Sequence, residues 1–109
     1  MSLLEFVSLL KGLDYPIAHS HFKVDAANPA PQPPFITYVT PSTANKMADN
    51  KVYYKMTDVD VELYTRDKDL VAEQKIEAMF DEHSIPYNAT QVWIESEQVF
   101  QKIYETRLI

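Results

Sequence analysis

Apolar positions fall first at helical spacing and then at alternating spacing. Leu3, Phe6, Val7 and Leu10 recur every three or four residues, which predicts an amphipathic helix over Leu3–Lys11. Ser2 precedes it with Glu5 three residues on, the spacing of a capping box. Gly12 stands where a left-handed C-cap residue belongs. An edge strand is expected around Ile17–His19, beside Pro16. Residues 25–34 hold four of the seven prolines and read as an extended, ordered connector. Phe35–Val39 is aromatic and β-branched, a strand. Residues 41–50 are polar and read as a loop, long for a hairpin connection.

Residues 52–64 read as a long strand whose apolar face changes parity. Val52, Tyr54 and Met56 are apolar at even positions, whereas Val59, Val61 and Leu63 are apolar at odd ones, opposite Asp58, Asp60 and Glu62. Successive side chains on a strand point to opposite faces. Either a bulge lies near Thr57 or the first half serves a different partner. The favoured reading is an arm that leaves the domain core and buries its apolar side elsewhere.

Asp67 is positioned to cap a second helix, with Asp69 in its first turn. Ala72, Ile76, Met79, Phe80 and His83 follow one face of it, with Glu73, Lys75, Glu77 and Asp81 pointing elsewhere. Pro86 stops the helix. Residues 90–95 and Val99–Leu108 form a strand pair around a turn at Ser96, Glu97 and Gln98. Val92 and Ile94 are expected to face the core, and Trp93 the other side. The last strand is apolar on both faces, as a central or doubly covered strand would be. The sum is an α+β single domain over residues 1–109, an antiparallel sheet of four to five strands with two helices packed on one face. The expected order is α-β-β-β-α-β-β.

Composition narrows the chemistry. At 46% apolar residues, 109 residues can build one core. The chain has no apolar run near the roughly 18 residues that span a bilayer, and its N-terminus does not read as a signal peptide. Without cysteine, thiol nucleophiles and Cys-based metal sites are excluded. With Gly12 as the one glycine, neither a phosphate-cradling loop nor a nucleophile elbow can be built. A net charge of −6 disfavours adhesion to nucleic acid, although an acidic wall suits a channel through which DNA slides.

The remaining candidates each have a simpler role beside the chemical one. His19 and His21 would share a face on a strand, but a metal site needs a third ligand, and a polar surface strand explains them better. Asp58, Asp60 and Glu62 could do acid–base work, but they read better as a hydrated or lumen-facing wall. Trp93 either covers an edge or anchors a contact. Tyr53 and Tyr54, beside the polar loop, are the tyrosines best placed for an interface. Neither an enzyme, a metal nor a cofactor is expected.

One set of residues has a family look. Pro33, Pro34, Phe35 and Ile36 with Tyr38 are followed by the run from Ala48 to Tyr53, by Glu62-Leu63-Tyr64-Thr65, and by Lys68-Asp69. Glu73 through Glu77, Trp93-Ile94-Glu95-Ser96-Glu97 and Tyr104 complete it. In order and spacing the chain resembles tail terminator (tail completion, head–tail joining) proteins of long-tailed phages and prophages of Gram-positive bacteria. The resemblance covers nearly the whole chain. It implies a structural protein of the virion, assembled in the host cytoplasm, that forms a ring, commonly of six subunits, at the head-proximal end of the tail tube. Partners would be further copies of the chain, the major tail tube protein and a head connector or stopper protein, with DNA passing through unbound. Lys46, Asp49, Asn50, Val52, Tyr53, Tyr54 and Trp93 are the expected subunit or tube contacts. Asp58, Asp60 and Glu62 are the expected lumen carboxylates. Two alternatives stay open: a head-completion or stopper connector of the same particle, and a small soluble protein-binding module.

Overall fold

The structure is a computed structural model that describes residues 1–27, 29–41, 43–48 and 51–109, with the backbone course alone for 43–48 and 51–55. The elements are α1 (Leu3–Lys11), β1 (Ile17–His19), β2 (Phe35–Val39), β3 (Thr43–Ala48), β4 (Lys51–Thr65), α2 (Leu70–Glu82), β5 (Tyr87–Ile94) and β6 (Val99–Leu108). The expected order therefore holds with one addition. Residues 41–50, read as a loop, contain β3, so the sheet has six strands. Thr-Ala-Asn-Lys-Met-Ala has no alternating apolar face, and its strand character comes from pairing with β4.

The main path of the sheet is β1-β2-β4-β6-β5, antiparallel except for the parallel β1–β2 pair. β6 lies between β4 and β5, as expected of a central strand. Alternation from this register puts Val59, Val61, Leu63, Ile36, Tyr104 and Leu108 on one face. Phe6 and Leu10 of α1 and Ala72, Ile76, Met79 and Phe80 of α2 close over them in one core. The Phe6 and Phe80 rings stack with centroids 6.1 Å apart. Both helices thus cover the same face. Among the described residues, no helix is long and apolar enough to cross a membrane.

Both helix starts are capped by side chains. The Ser2 hydroxyl accepts from the Glu5 amide, and the Glu5 carboxylate accepts from the Ser2 amide, completing the capping box. The Ser2 hydroxyl, which also donates to the Glu5 carboxylate, and then the Ser2 amide hold that carboxyl below its usual range. Gly12, in contrast, stays in right-handed backbone (φ −68°), and the left-handed turn falls on Asp14 (φ 65°). For α2 the cap is Asp69, which accepts from the Ala72 amide, rather than Asp67. At its other end Ser84 takes the left-handed position (φ 54°). The Ile85 amide reaches back to the Phe80 carbonyl and the Ser84 amide to that of Asp81, a Schellman closure. His83, expected on the buried face, is exposed because the helix ends at Glu82.

β4 is the longest strand and has two sets of neighbours. Thr57 to Thr65 pair with β6. Phe35 to Val39 of β2 flank residues 60–64. From Thr57 backwards, the strand pairs with β3 alone among the described pairs. Pairing runs through Thr57 without a bulge, and the register shift lies at Lys46/Met47 instead. β3 and the first part of β4 therefore form a hairpin that stands out from the body. The radius of gyration, 15.3 Å, exceeds the roughly 13 Å of a compact domain near this length, and the long axis reaches 51 Å.

Candidate interaction surface

The sheet face opposite the helices carries Asp58, Asp60, Glu62 and Tyr64 of β4 beside Gln101, Ile103, Glu105 and Arg107 of β6. The sequence alternation placed the three carboxylates on one face, and the register agrees. Their surroundings differ. Asp58 holds Arg107 through Nε at 2.7 Å and Nη2 at 3.2 Å, a two-point pair that fixes both side chains. Glu62 accepts from the Thr37 hydroxyl at 3.1 Å and from Gln101 Nε2 at 2.7 Å, and the same Gln101 nitrogen donates to the Tyr64 hydroxyl at 2.8 Å. Burial, then the Glu62 charge, pushes the Tyr64 hydroxyl up, so it stays protonated.

Asp60 has no such partner. It stands directly opposite Glu105 across the β4–β6 pair. Among the described residues neither carboxylate meets a cation. Partial burial, then the charges of Glu105 and Asp58, pushes the Asp60 carboxyl up. Pro41, Asn88 and Thr106 join Asp58, Asp60, Glu105 and Arg107 around a shallow depression at the root of the hairpin. Farther along the same face the connector lies over the sheet, with Phe22 edge-on to Phe35 at 5.5 Å and Phe35 against Tyr64 at 4.9 Å.

The other expected contact residues fall in two places. Lys46, Val52, Tyr53 and Tyr54 lie on the hairpin strands, where the backbone course is described. Asp49 and Asn50 lie outside the described residues. Trp93 is at the opposite end of the molecule, and its face is the reverse of the expected one. It pairs with Phe100 on the helix-bearing side, with ring centroids 4.8 Å apart, and donates Nε1–H to the Glu95 carboxylate. Val92 and Ile94, expected in the core, lie on the open face, where Val92 is exposed. The inversion follows from β5 starting at Tyr87, whose ring packs on Phe80 and Tyr104 and sets the odd positions inward. His19 and His21 do not share a face. β1 ends at His19, which meets Tyr38 edge-on, and Ser20 (φ 65°) turns the chain before His21.

A charged cluster beneath α2 was not visible in the sequence reading. Glu73, expected to point elsewhere, is buried at 6% exposure and takes Lys102 at 2.5 Å and Lys68 at 2.9 Å. Burial opposes its charge, but the hydrogen bonds from Lys102 and Lys68 outweigh that and hold its carboxyl below the usual range. For Lys102 burial is likewise outweighed, by Glu73 and Glu77, and its ammonium is held above the usual value. Glu77 accepts from the Tyr104 hydroxyl at 2.9 Å and the Tyr87 hydroxyl at 3.3 Å. Burial, then the Glu77 hydrogen bond, pushes the Tyr104 hydroxyl far up. Every donor here has an acceptor, so the cluster ties α2 to β6 rather than presenting a reactive group. The signal for it was Lys102, a lysine between Phe100 and Tyr104 on an otherwise apolar strand face.

No protein-family model and no curated protein matches the chain.

Proposed function

We propose that the chain is a non-enzymatic assembly protein of a phage tail, of the tail terminator type. It forms a ring on the head-proximal end of the tail tube. The mechanism is steric and competitive: the ring occupies the growing end of the tube, excludes the next ring of tube protein and offers a surface to the head connector. DNA passes through the opening without being bound. The observation that carries the reading is the β3–β4 hairpin, which stands out from a fully formed core and pairs only with itself among the described residues. A monomer gains nothing from such a projection, whereas a ring of like subunits uses one face to give a contact and another to receive it. The internally paired charges on both sides of the sheet agree with a structural part, since convergent reactive groups in a cleft are what catalysis needs.

The test is tail length by electron microscopy after deletion of the gene from its phage. Overlong tubes with unattached heads are the expected outcome. Tails of normal length that fail to join heads would move the protein to the connector side, and normal particles would end the phage reading.

A further inference from the structure

The open face and the hairpin carry opposite charge. Over residues 43–56 the sequence holds Lys46, Lys51 and Lys55 against Asp49. The open face of the body holds Asp58, Asp60, Glu62 and Glu105 against Arg107. Arg107 is committed to Asp58, and Glu62 is served by neutral donors. The excess negative charge therefore centres on Asp60 and Glu105, directly opposite each other, an arrangement that costs stability unless something cationic arrives. β4 runs unbroken from Asp60 through Thr57 into the hairpin, whose strands lead away from this pair.

We infer that the open face around Asp60 and Glu105 receives the β3–β4 hairpin of a second copy of this chain. The occupant follows from charge complementarity, from the lack of any other pairing for the hairpin among the described residues, and from apolar residue types on both sides. Half-buried Ile103 and exposed Val92 lie on the receiving face, and the hairpin sequence contributes Val52, Tyr53 and Tyr54. The contact is heterologous: each copy gives a hairpin and receives one, so the association repeats until it closes. This deepens the ring reading, on which it rests for its setting, and it moves Asp60 from a channel wall to a subunit contact.

The test uses the full chain in sedimentation velocity at several concentrations. Asp60→Lys with Glu105→Lys reverses the face, and Lys46→Glu, Lys51→Glu and Lys55→Glu together reverse the hairpin. Either set alone is expected to weaken self-association at least about tenfold. Mixing the two variant chains restores it, because each then offers what the other lacks; a misfolded variant could not be rescued in this way. Added salt weakens the wild-type association. Either reversed variant associating at wild-type strength, or a wild-type chain that stays monomeric at every concentration, overturns the contact. The two proposals fail separately. Reversed variants that associate at wild-type strength, in a chain whose deletion gives overlong tubes, would overturn the contact and keep the ring. Association through this contact in a chain whose deletion leaves particles normal would keep the contact and end the tail reading.

Discussion

Asp60 and Glu73 are carboxylates held in opposite ways, and pH separates them. Asp60 faces Glu105, and burial with that like charge raises its proton affinity in the folded chain. The folded state therefore binds the proton more tightly than the unfolded one. Its contribution to stability falls as pH rises from the ordinary aspartate value through the raised one. Asp60→Asn is expected to stabilise the fold at neutral pH by about 0.5 kcal/mol, the scale of a like-charge cross-strand pair. In urea unfolding the gain should disappear at pH values below the ordinary aspartate range, where wild type is protonated in both states. Glu73 runs the other way. Lys102 and Lys68 outweigh burial and lower its proton affinity in the fold. Its contribution is present above the usual glutamate value and is lost as pH falls through the lowered one. Glu73→Gln removes the negative charge that faces the Lys102 and Lys68 ammonium groups and is expected to cost about 2 kcal/mol at pH 7 in the same unfolding assay.

The ends of α2 show how far element-level signals carry. Ser84 sits at φ 54° in the Schellman turn, where glycine has no steric penalty. Ser84→Gly is expected to raise the thermal midpoint, by about 0.5–1 kcal/mol of stability, while far-UV circular dichroism stays unchanged. The turn was legible only in part. Pro86 marks the stop, but nothing in His83-Ser84-Ile85 announces the left-handed residue, because the Schellman bonds arise from the carbonyls of Phe80 and Asp81. α1 was legible to the residue, since its cap, first-turn acid and apolar stripe all agree and compete with nothing. At the start of α2 two aspartates two residues apart compete for the cap, and only the three-dimensional path of the chain selects Asp69. β5 was misread in facing. Val92, Trp93 and Ile94 are all apolar, so local alternation carries no parity there, and the deciding residue is Tyr87. β3 was invisible because its strand state is imposed by β4. Glu73 was missed because its partner Lys102 is 29 positions away in sequence.

At the scale of the whole molecule, the chain divides at Thr57 into a body with a closed core and a hairpin whose strands pair with each other. Among the residues whose side chains are described, every buried core residue from Phe6 to Leu108 belongs to the body. Thr57 is the seam, paired with Thr43 of β3 on one side and Leu108 of β6 on the other. The parity break in the sequence falls at this seam: Val59, Val61 and Leu63 serve the helices, and the strand before Thr57 pairs with β3. The division makes a sharp prediction. Thr43 and Thr57 are cross-strand neighbours, so the segment between them can be replaced by a two-residue Asn-Gly turn, which suits antiparallel strands. The shortened chain is expected to fold, with a thermal midpoint within a few degrees of wild type, because it keeps every described core residue. It is also expected to lose self-association in sedimentation and to leave tail tubes uncapped. A shortened chain that unfolds would show that the hairpin supports the body, and one that still caps tubes would place the assembly contact on the body itself. If it folds but neither associates nor caps, folding and assembly are separate properties of this sequence, written on either side of Thr57.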